Sequence, residues 1–588
     1  MSSPLAKIRE LMKTNGINLL LVSKLDPHQS EYASPYWNEA KFVSGFTGSN
    51  AAVVIMDESC LLLTDGRYYV QAAKELEGSG VSLWKALDVE EEFLRFAAFN
   101  VPAGGTVGFD GRAFSALFVS KLEKALKPRN AKVRADLDLV GEVWEDRVSD
   151  DKFPIVDHPV VFAGKSRVEK IAELRLKLSE IKADGCIISS LDDIAWLMNL
   201  RGGDLLETTM FNAYAYIGKD TATLFVDPSE VKGVLPALEK DGIEAKGYTE
   251  VALSLKALDP GITVAYCPRM TSALLSKALE GHAVVELEND LTEFMKAKKN
   301  SVELEGLDRV NIRDGVAMVR FSKWIKETAG TVRLTELDAS AKVLELRQQG
   351  ECYVCPSFES ISAYMANAAM MHYSPVAGKD AEIEAKGFYL LDSGAHYWDG
   401  TTDITRTYVL GPVDADMKRD FTYVLKSHIA LASAKFLSTA TGSNLDTLAR
   451  MPMWENGLDY KCGTGHGIGF CLNVHEGPQR ISMKPNPYAI EPGNILTDEP
   501  GIYREGLYGI RTENTMVAVE DETNEFGKFY RFKIISWCPI DLDGVEADLL
   551  TPKEKAWLND YHKTVYEKLS PLLDEGEREW LKNATRAI

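Results

Sequence analysis

The chain has 588 residues, 45% of them hydrophobic and 26% charged, with a formal net charge of −21. That length exceeds what one hydrophobic core supports, so two to four domains are expected. The acidic balance repels phosphate backbones and argues against nucleic acid as a partner. The longest apolar runs, such as Ala51 to Met56, are far too short to span a bilayer.

The opening stretch from Met1 to Lys13 carries no apolar core of the kind a secretory signal needs. A faint internal repeat follows. Lys7-Ile8-Arg9-Glu10-Leu11 opens an amphipathic helix, followed by the apolar run Ile17 to Val22 and Ser23-Lys24-Leu25-Asp26. Lys170-Ile171-Ala172-Glu173-Leu174 opens another, followed by Cys186-Ile187-Ile188 and Ser189-Ser190-Leu191-Asp192. Each copy continues with a strand ending in Asp and then a helix: Leu61 to Asp65 before Tyr68 to Leu76, and Thr223 to Asp227 before Glu230 to Lys240. This alternation predicts two α/β domains of duplicated fold. A polar, proline-bearing stretch at Asp151 to Pro159 and a basic run at Lys296 to Asn300 mark the boundaries. The expected domains are therefore 1–158, 159–296 and 297–588.

From about residue 385 the pattern changes. Gly387 to Asp392 reads as a strand, Asp399-Gly400 as a turn, and Thr401 to Val409 as a second strand. Such a hairpin brings Asp392 and Asp403 onto neighbouring strands. Helices are expected at about 414–438 and 443–454, then shorter strands carrying His466, His475, Glu499 and Glu513.

Asp392, Asp403, His466, Glu499 and Glu513 are the residues that carry chemistry. Asp392 follows the apolar run Phe388 to Leu391, and Glu499 follows Ile495-Leu496. Acids attached to buried strands are costly unless neutralised. Four carboxylates balance two divalent cations in charge, and four oxygen ligands suit a harder metal than the flanking Cys462 and Cys471 would select. Two such metals, about 3.5–4 Å apart, trap a bridging hydroxide that attacks a carbonyl carbon. Glycines at 463, 465, 467 and 469 allow close backbone approach to a crowded site. They lack the Lys-Ser/Thr ending of a phosphate loop and do not fit the dinucleotide fingerprint. His372 and His475 are suited to donate to a developing oxyanion. His396, in a hairpin arm, and His428, in a helical stretch, read as structural. The eight scattered cysteines fit a reducing compartment, and Cys352-x-x-Cys355 lacks the second pair that a structural zinc needs.

At these residues the chain resembles the pita-bread metallopeptidases, which include methionine aminopeptidases, prolidases and aminopeptidases P. The resemblance extends to His28 to Tyr32, Phe42 to Phe46, Thr64 to Tyr68, Asp193 to Gly202 and Trp557 to His562, which are similar to the long, three-domain, cytosolic-type aminopeptidase P. It implies a fold of α/β and α+β parts: two N-terminal creatinase-like domains, then a pita-bread catalytic domain with a helical tail. It implies that Asp392 ligates one metal, His466 and Glu499 the other, and that Asp403 and Glu513 bridge. His372 and His475 would face substrate, Glu499 would carry a proton, and Arg511 would orient a ligand carboxylate. The implied reaction is release of the N-terminal residue from Xaa-Pro peptides by a cytoplasmic, manganese-dependent homodimer free of nucleic acid and membrane. The alternatives are a prolidase-like dipeptidase and a non-catalytic binding module. One departure stands out: Tyr364 to Met371 replaces a Gly-Pro-Asn-Gly-like turn, with only Asn367 matching, and local repacking is expected there.

Overall fold

The structure, a computed structural model, describes residues 4–588; Met1 to Ser3, part of the N-terminal stretch read above, lie outside the described residues. The chain divides into two compact units. One runs to His158 and resumes over Lys165–Glu293; the other comprises Pro159–Gly164 and Phe294–Ile588.

The first unit holds two six-stranded sheets, and the internal repeat is visible in their topology. In the first sheet the strand Leu19–Ser23 pairs antiparallel with Ala52–Ile55 and parallel with Thr106–Gly108. Ala52–Ile55 continues antiparallel to Cys60–Thr64, which lies parallel to Ser82–Lys85; Lys132–Arg134 extends the other edge in parallel. In the second sheet Gly185–Ile188 occupies the central place, between Ala213–Gly218 (antiparallel) and Thr263–Tyr266 (parallel). Ala222–Val226, Glu244–Gly247 and Ala283–Glu286 complete it with the same order and the same strand directions.

Alternation along these strands explains their continuous apolarity. Leu20, Val22, Val53, Ile55 and Leu62 feed one core, and Leu19, Leu21, Ala52, Val54 and Leu63 feed another. Successive side chains point to opposite faces, so a sheet covered on both faces needs apolar residues at every position. The two sheets of this unit are joined through buried His28, whose Nδ1 lies 2.8 Å from Ser189 O and whose Nε2 lies 2.8 Å from Tyr248 Oη.

The second unit is built around a 28-residue helix, Ser301–Thr328, started by a capping box between Asn300 and Glu303. Pro159–Gly164 belongs here because Asn300 Nδ2 donates to Ala163 O (2.9 Å) and Phe162 packs on Leu307 and Val310. Two antiparallel sheets hold the site. One orders Ile361–Tyr364, Phe388–Ser393 and Ile404–Val409. The other orders Lys435–Leu437, Gly527–Ile534, Asn514–Asn524, Ile495–Asp498, Gly465–Gly467 and Glu476–Ile481. The helices Ala415–Ala432, Gly442–Trp454 and Pro552–Leu569 complete it.

The expected hairpin differs in one respect. Its second arm is interrupted: Gly400–Thr401 pairs with Ala395–Tyr397 in a separate small sheet, and the strand resumes at Ile404. Asp403 thereby sits in the break, ahead of the rung that pairs Asp392 with Thr405. The helix expected from Glu230 is also shorter. A 3₁₀ turn at Val231–Gly233 precedes Leu235–Lys240, whose Pro236 is tolerated in the first helical turn. Among the described residues no helix is long and apolar enough to cross a membrane, and all eight cysteines are free thiols.

Candidate metal centre

Asp392 ends a strand whose Phe388 to Leu391 are buried. His466 lies on the strand Gly465–Gly467. The other donors stand at strand ends rather than within strands: Asp403 just before Ile404–Val409, Glu499 just after Ile495–Asp498, Glu513 just before Asn514–Asn524. His475 likewise precedes Glu476–Ile481. A residue outside the ladder is free to turn its side chain inward regardless of the pleat, and pairing beside it holds the backbone still.

The ladder is irregular where it matters. The register between Gly465–Gly467 and Glu476–Ile481 shifts between His466 and Gly467, where the partner moves from Arg480 to Glu476. The flanking glycines are sterically required. A Cβ at Gly465 would sit 2.0 Å from Thr497 O, and one at Gly467 would sit 2.2 Å from Glu476 O.

These elements bring the donors together. Ligand atoms of Asp403, His466 and Glu513 lie within 4.8 Å of one another. His466 Nε2 is 3.4 Å from Asp403 Oδ2 and 3.5 Å from Glu499 Oε1. Its Nδ1 lies 2.9 Å from Gly467 O; with that carbonyl accepting the Nδ1 proton, Nε2 is the nitrogen turned to the carboxylates. Asp392 joins through Arg511, whose Nη2 donates to Asp392 Oδ2 at 2.5 Å. Arg511 is in turn held by Tyr503 Oη (2.7 Å) and Thr405 Oγ1 (3.2 Å), and Thr405 Oγ1 donates to Glu513 Oε2 (2.7 Å). Thr497 Oγ1 receives the His466 amide (3.0 Å) and donates to Glu499 Oε1 (3.1 Å).

The electrostatics are those of acids crowded without enough positive charge. Burial, reinforced by Asp403, Asp392 and Glu499, pushes the Glu513 carboxyl well above its usual range. Burial also raises Asp392, with Asp403 adding and Arg511 opposing, and it raises Glu499 against the pull of His466 and Arg511. Burial opposes charge on His466, yet Asp403 and Glu499 hold its pKa up at about 9. Asp392 Oδ1 and Asp403 Oδ1 are buried with no hydrogen-bond partner. Orphaned buried carboxylate oxygens beside an imidazole fit the donor set of divalent cations, whose charge would offset the crowding of the acids.

His372 lies half-buried on the turn after the 3₁₀ segment Met365–Ala369. That segment is the departing loop, and it is packed: Ala368, Ala369, Met370 and Met371 are buried. Asn367 Nδ2 donates to both Glu336 oxygens (3.0 and 3.2 Å). Ala368 O lies where a Cβ at Gly509 would collide, at 1.8 Å, so the loop rests against the strand Tyr508–Arg511. The His475 ring meets His466 edge to face, with centroids 4.3 Å apart. His396 and His428 are fully buried. His396 Nδ1 lies 2.9 Å from Thr401 Oγ1, and His428 Nε2 lies 3.0 Å from Asn514 Nδ2.

Sequence reasoning missed Arg406, Tyr503, Thr405 and Thr497. Arg406 is fully buried and donates to Glu513 O (2.5 Å), Thr405 O (2.8 Å), Asn514 Oδ1 (2.8 Å), Cys538 O (2.7 Å), Tyr561 Oη (2.8 Å) and Pro539 O (3.2 Å). Its available signal was an arginine inside a β-branched strand, Ile404-Thr405-Arg406-Thr407.

Fold and donor set together define a metal-dependent hydrolase. Residues 305–520 match metallopeptidase family M24, and residues 528–588 match its C-terminal region. Residues 4–142 and 146–303 each match the creatinase/prolidase N-terminal domain. A probable Xaa-Pro aminopeptidase P of Coccidioides posadasii is 38% identical, over 100% of this chain and 93% of its own. Aminopeptidase P1 of Arabidopsis thaliana is 35% identical, over 100% and 99%. The crystal structure of an X-prolyl aminopeptidase from Caenorhabditis elegans, described as a cytosolic enzyme with a di-nuclear active site, superposes with a TM-score of 0.94 at 33% identity over the whole of both chains. A prolidase from Pyrococcus horikoshii, 23% identical, covers 64% of this chain and 99% of its own with a TM-score of 0.51, a likeness of fold. The chain belongs to the aminopeptidase P family, with creatinase-like N-terminal domains and a pita-bread catalytic domain.

Proposed function

We propose that this enzyme releases the N-terminal residue from peptides with proline in second position, using two manganese ions. In this reading Asp392 would hold one ion, His466 and Glu499 the other, and Asp403 and Glu513 would serve both. The oxygen-rich donor set favours a hard cation such as Mn²⁺. When bound, the ions lower the pKa of an attacking water and polarise the scissile carbonyl. The protein's own groups do the rest. Glu499, whose proton affinity burial raises, takes the proton from the attacking water and passes it to the leaving proline nitrogen. His475, against His466, and His372, on the packed loop, donate to the carbonyl oxygen as negative charge develops. Arg511 fixes the Asp392 carboxylate, and Tyr503 fixes Arg511. We further propose domains at 1–158, 159–296 and 297–588, a homodimer, a cytoplasmic location, and no nucleic-acid or membrane partner.

The supporting observation is the convergence of four acids and one imidazole, far apart in sequence, in a chain whose full-length relatives are aminopeptidases P. The test is chelation, re-addition of single metals, and cleavage of an Xaa-Pro dipeptide beside an Xaa-Pro-Pro tripeptide. Activity on the tripeptide restored best by Mn²⁺ is expected. Cleavage of the dipeptide alone overturns the reading in favour of a prolidase.

A further inference from the structure

Among the buried ion pairs outside the donor set, one lies against the site and is used by no step above. Lys299 and Glu476 form it, and each side chain is 1% exposed. Lys299 Nζ contacts Glu476 Oε1 and donates to Lys296 O at 2.8 Å. Glu476 directly follows His475, and its backbone opposes Gly467, the neighbour of His466.

The segment that carries Lys299 is itself tied to a second arm of the site. The Lys299 amide donates to Gly493 O (3.0 Å), Asn494 Nδ2 donates to Ala297 O (3.1 Å), and Lys298 and Asn494 form an isolated bridge. Asn494 leads directly into Ile495–Asp498 and Glu499. A few residues ahead of the long helix thus grip both the His475 corner and the approach to Glu499.

A buried ion pair is a poor source of net stability, because desolvation of both ions offsets their attraction, and apolar replacements do as well or better. What it supplies is position. The Lys299 contact fixes the Glu476 side chain, while the pairing with Gly467 fixes its backbone along the strand, beside the point from which the His475 ring projects.

We propose that Lys299 is a positioning residue for the reaction: through Glu476 it holds His475 at the angle from which it serves the substrate, without acting on the metals. This rests on the reading of His475 as a substrate-facing histidine.

A double-mutant cycle on the full-length, metal-loaded enzyme tests it, using Lys299→Met and His475→Ala, with kcat and KM on an Xaa-Pro-Pro tripeptide and metal per chain as readouts. Lys299→Met is expected to lower kcat at least tenfold while leaving KM within twofold and metal content unchanged. In the His475→Ala background the same change is expected to cost less than threefold more, because the ring it orients is gone. A full tenfold loss in that background, or parental kcat in the folded single variant, overturns the proposal. Lys299→Met strands a buried carboxylate, so Lys299→Met/Glu476→Gln, which leaves no lone charge, serves as the second variant. Its parental kcat also overturns the proposal. Parental kcat in His475→Ala instead defeats the reading of His475, and the positioning role falls with it.

Discussion

Replacing Arg406 by lysine tests whether the metal centre is held from behind. Arg406 makes six hydrogen bonds from a fully buried guanidinium, one of them to the Glu513 carbonyl. An ammonium has three donors, so at least three of those six hydrogen bonds are lost, although Thr405 O, Asn514 Oδ1 and Cys538 O each keep a second donor. Each lost bond costs about 1–3 kcal/mol, the lower figure where the acceptor keeps another donor, which gives roughly 3–9 kcal/mol before relaxation. Relaxation of the tail helix, whose Tyr561 hydroxyl also donates to Cys538 O (2.9 Å), favours the lower part of that range. For a unit of about 300 residues the loss corresponds to a fall in melting temperature of roughly 5 °C or more. Because Arg406 also fixes the backbone at Glu513, divalent-metal affinity should fall about 10–100-fold. Differential scanning calorimetry of the metal-free protein and metal titration of both forms read the two effects. Arg406→Lys protein that melts within about 2 °C of the parent and binds metal equally refutes the reasoning.

Asp403→Ala should abolish peptidase activity while the protein stays folded, since in the proposed reading the variant removes a carboxylate shared by both metals; substantial turnover in a metal-replete assay counts against the assignment. Gly467→Ala should destabilise the catalytic unit and weaken metal binding together, because its Cβ would sit 2.2 Å from Glu476 O; unaltered thermal unfolding would show that the ladder gives way freely. Burial, aided by Arg406 and Arg586, pulls the His562 pKa down to about 3, while Nε2 accepts the Ile540 amide (3.0 Å). Above about pH 6.5 the ring is neutral folded and unfolded; as pH falls below that, the unfolded chain binds a proton that the folded chain refuses, and stability drops until about pH 3, by up to roughly 5 kcal/mol. Urea unfolding of His562→Gln across that window should give a shallower slope, and equal slopes dismiss the linkage.

Much of the site was legible because its chemistry is local. An acid that ends an apolar strand, as at Asp392, or glycines flanking a histidine, as at His466, state the presence of a metal or close packing wherever the chain folds. The repeat was legible for the same reason: apolar runs of the same length, after helices with the same opening, build sheets with the same strand order. The departing loop was legible as a difference, and its packing on Gly509 through Ala368 became apparent only in three dimensions.

Other features carry no local mark. Thr405 and Arg406 are neighbours on one strand, so their side chains leave on opposite faces. Thr405 meets Glu513 in the centre, whereas Arg406 turns to the Glu513 carbonyl, Cys538 and the tail helix. Neither choice is written in Thr-Arg-Thr itself. The interruption that puts Asp403 in a break and the register shift beside His466 arise from how neighbouring strands pair, Gly400–Thr401 with Ala395–Tyr397 and Gly465–Gly467 with Glu476–Ile481.

The sequence by itself determined the two-plus-one plan of α/β and pita-bread parts and the reaction class, and it singled out the candidate metal donors, because side-chain chemistry and hydrophobic period are properties of short segments. The tertiary structure alone decided how the donors face one another and which groups brace them, Arg406 behind Glu513 and Tyr503 behind Arg511. Those are contacts between residues about a hundred positions apart or within a hairpin whose facing strands must first be set, and only the completed packing specifies such distances.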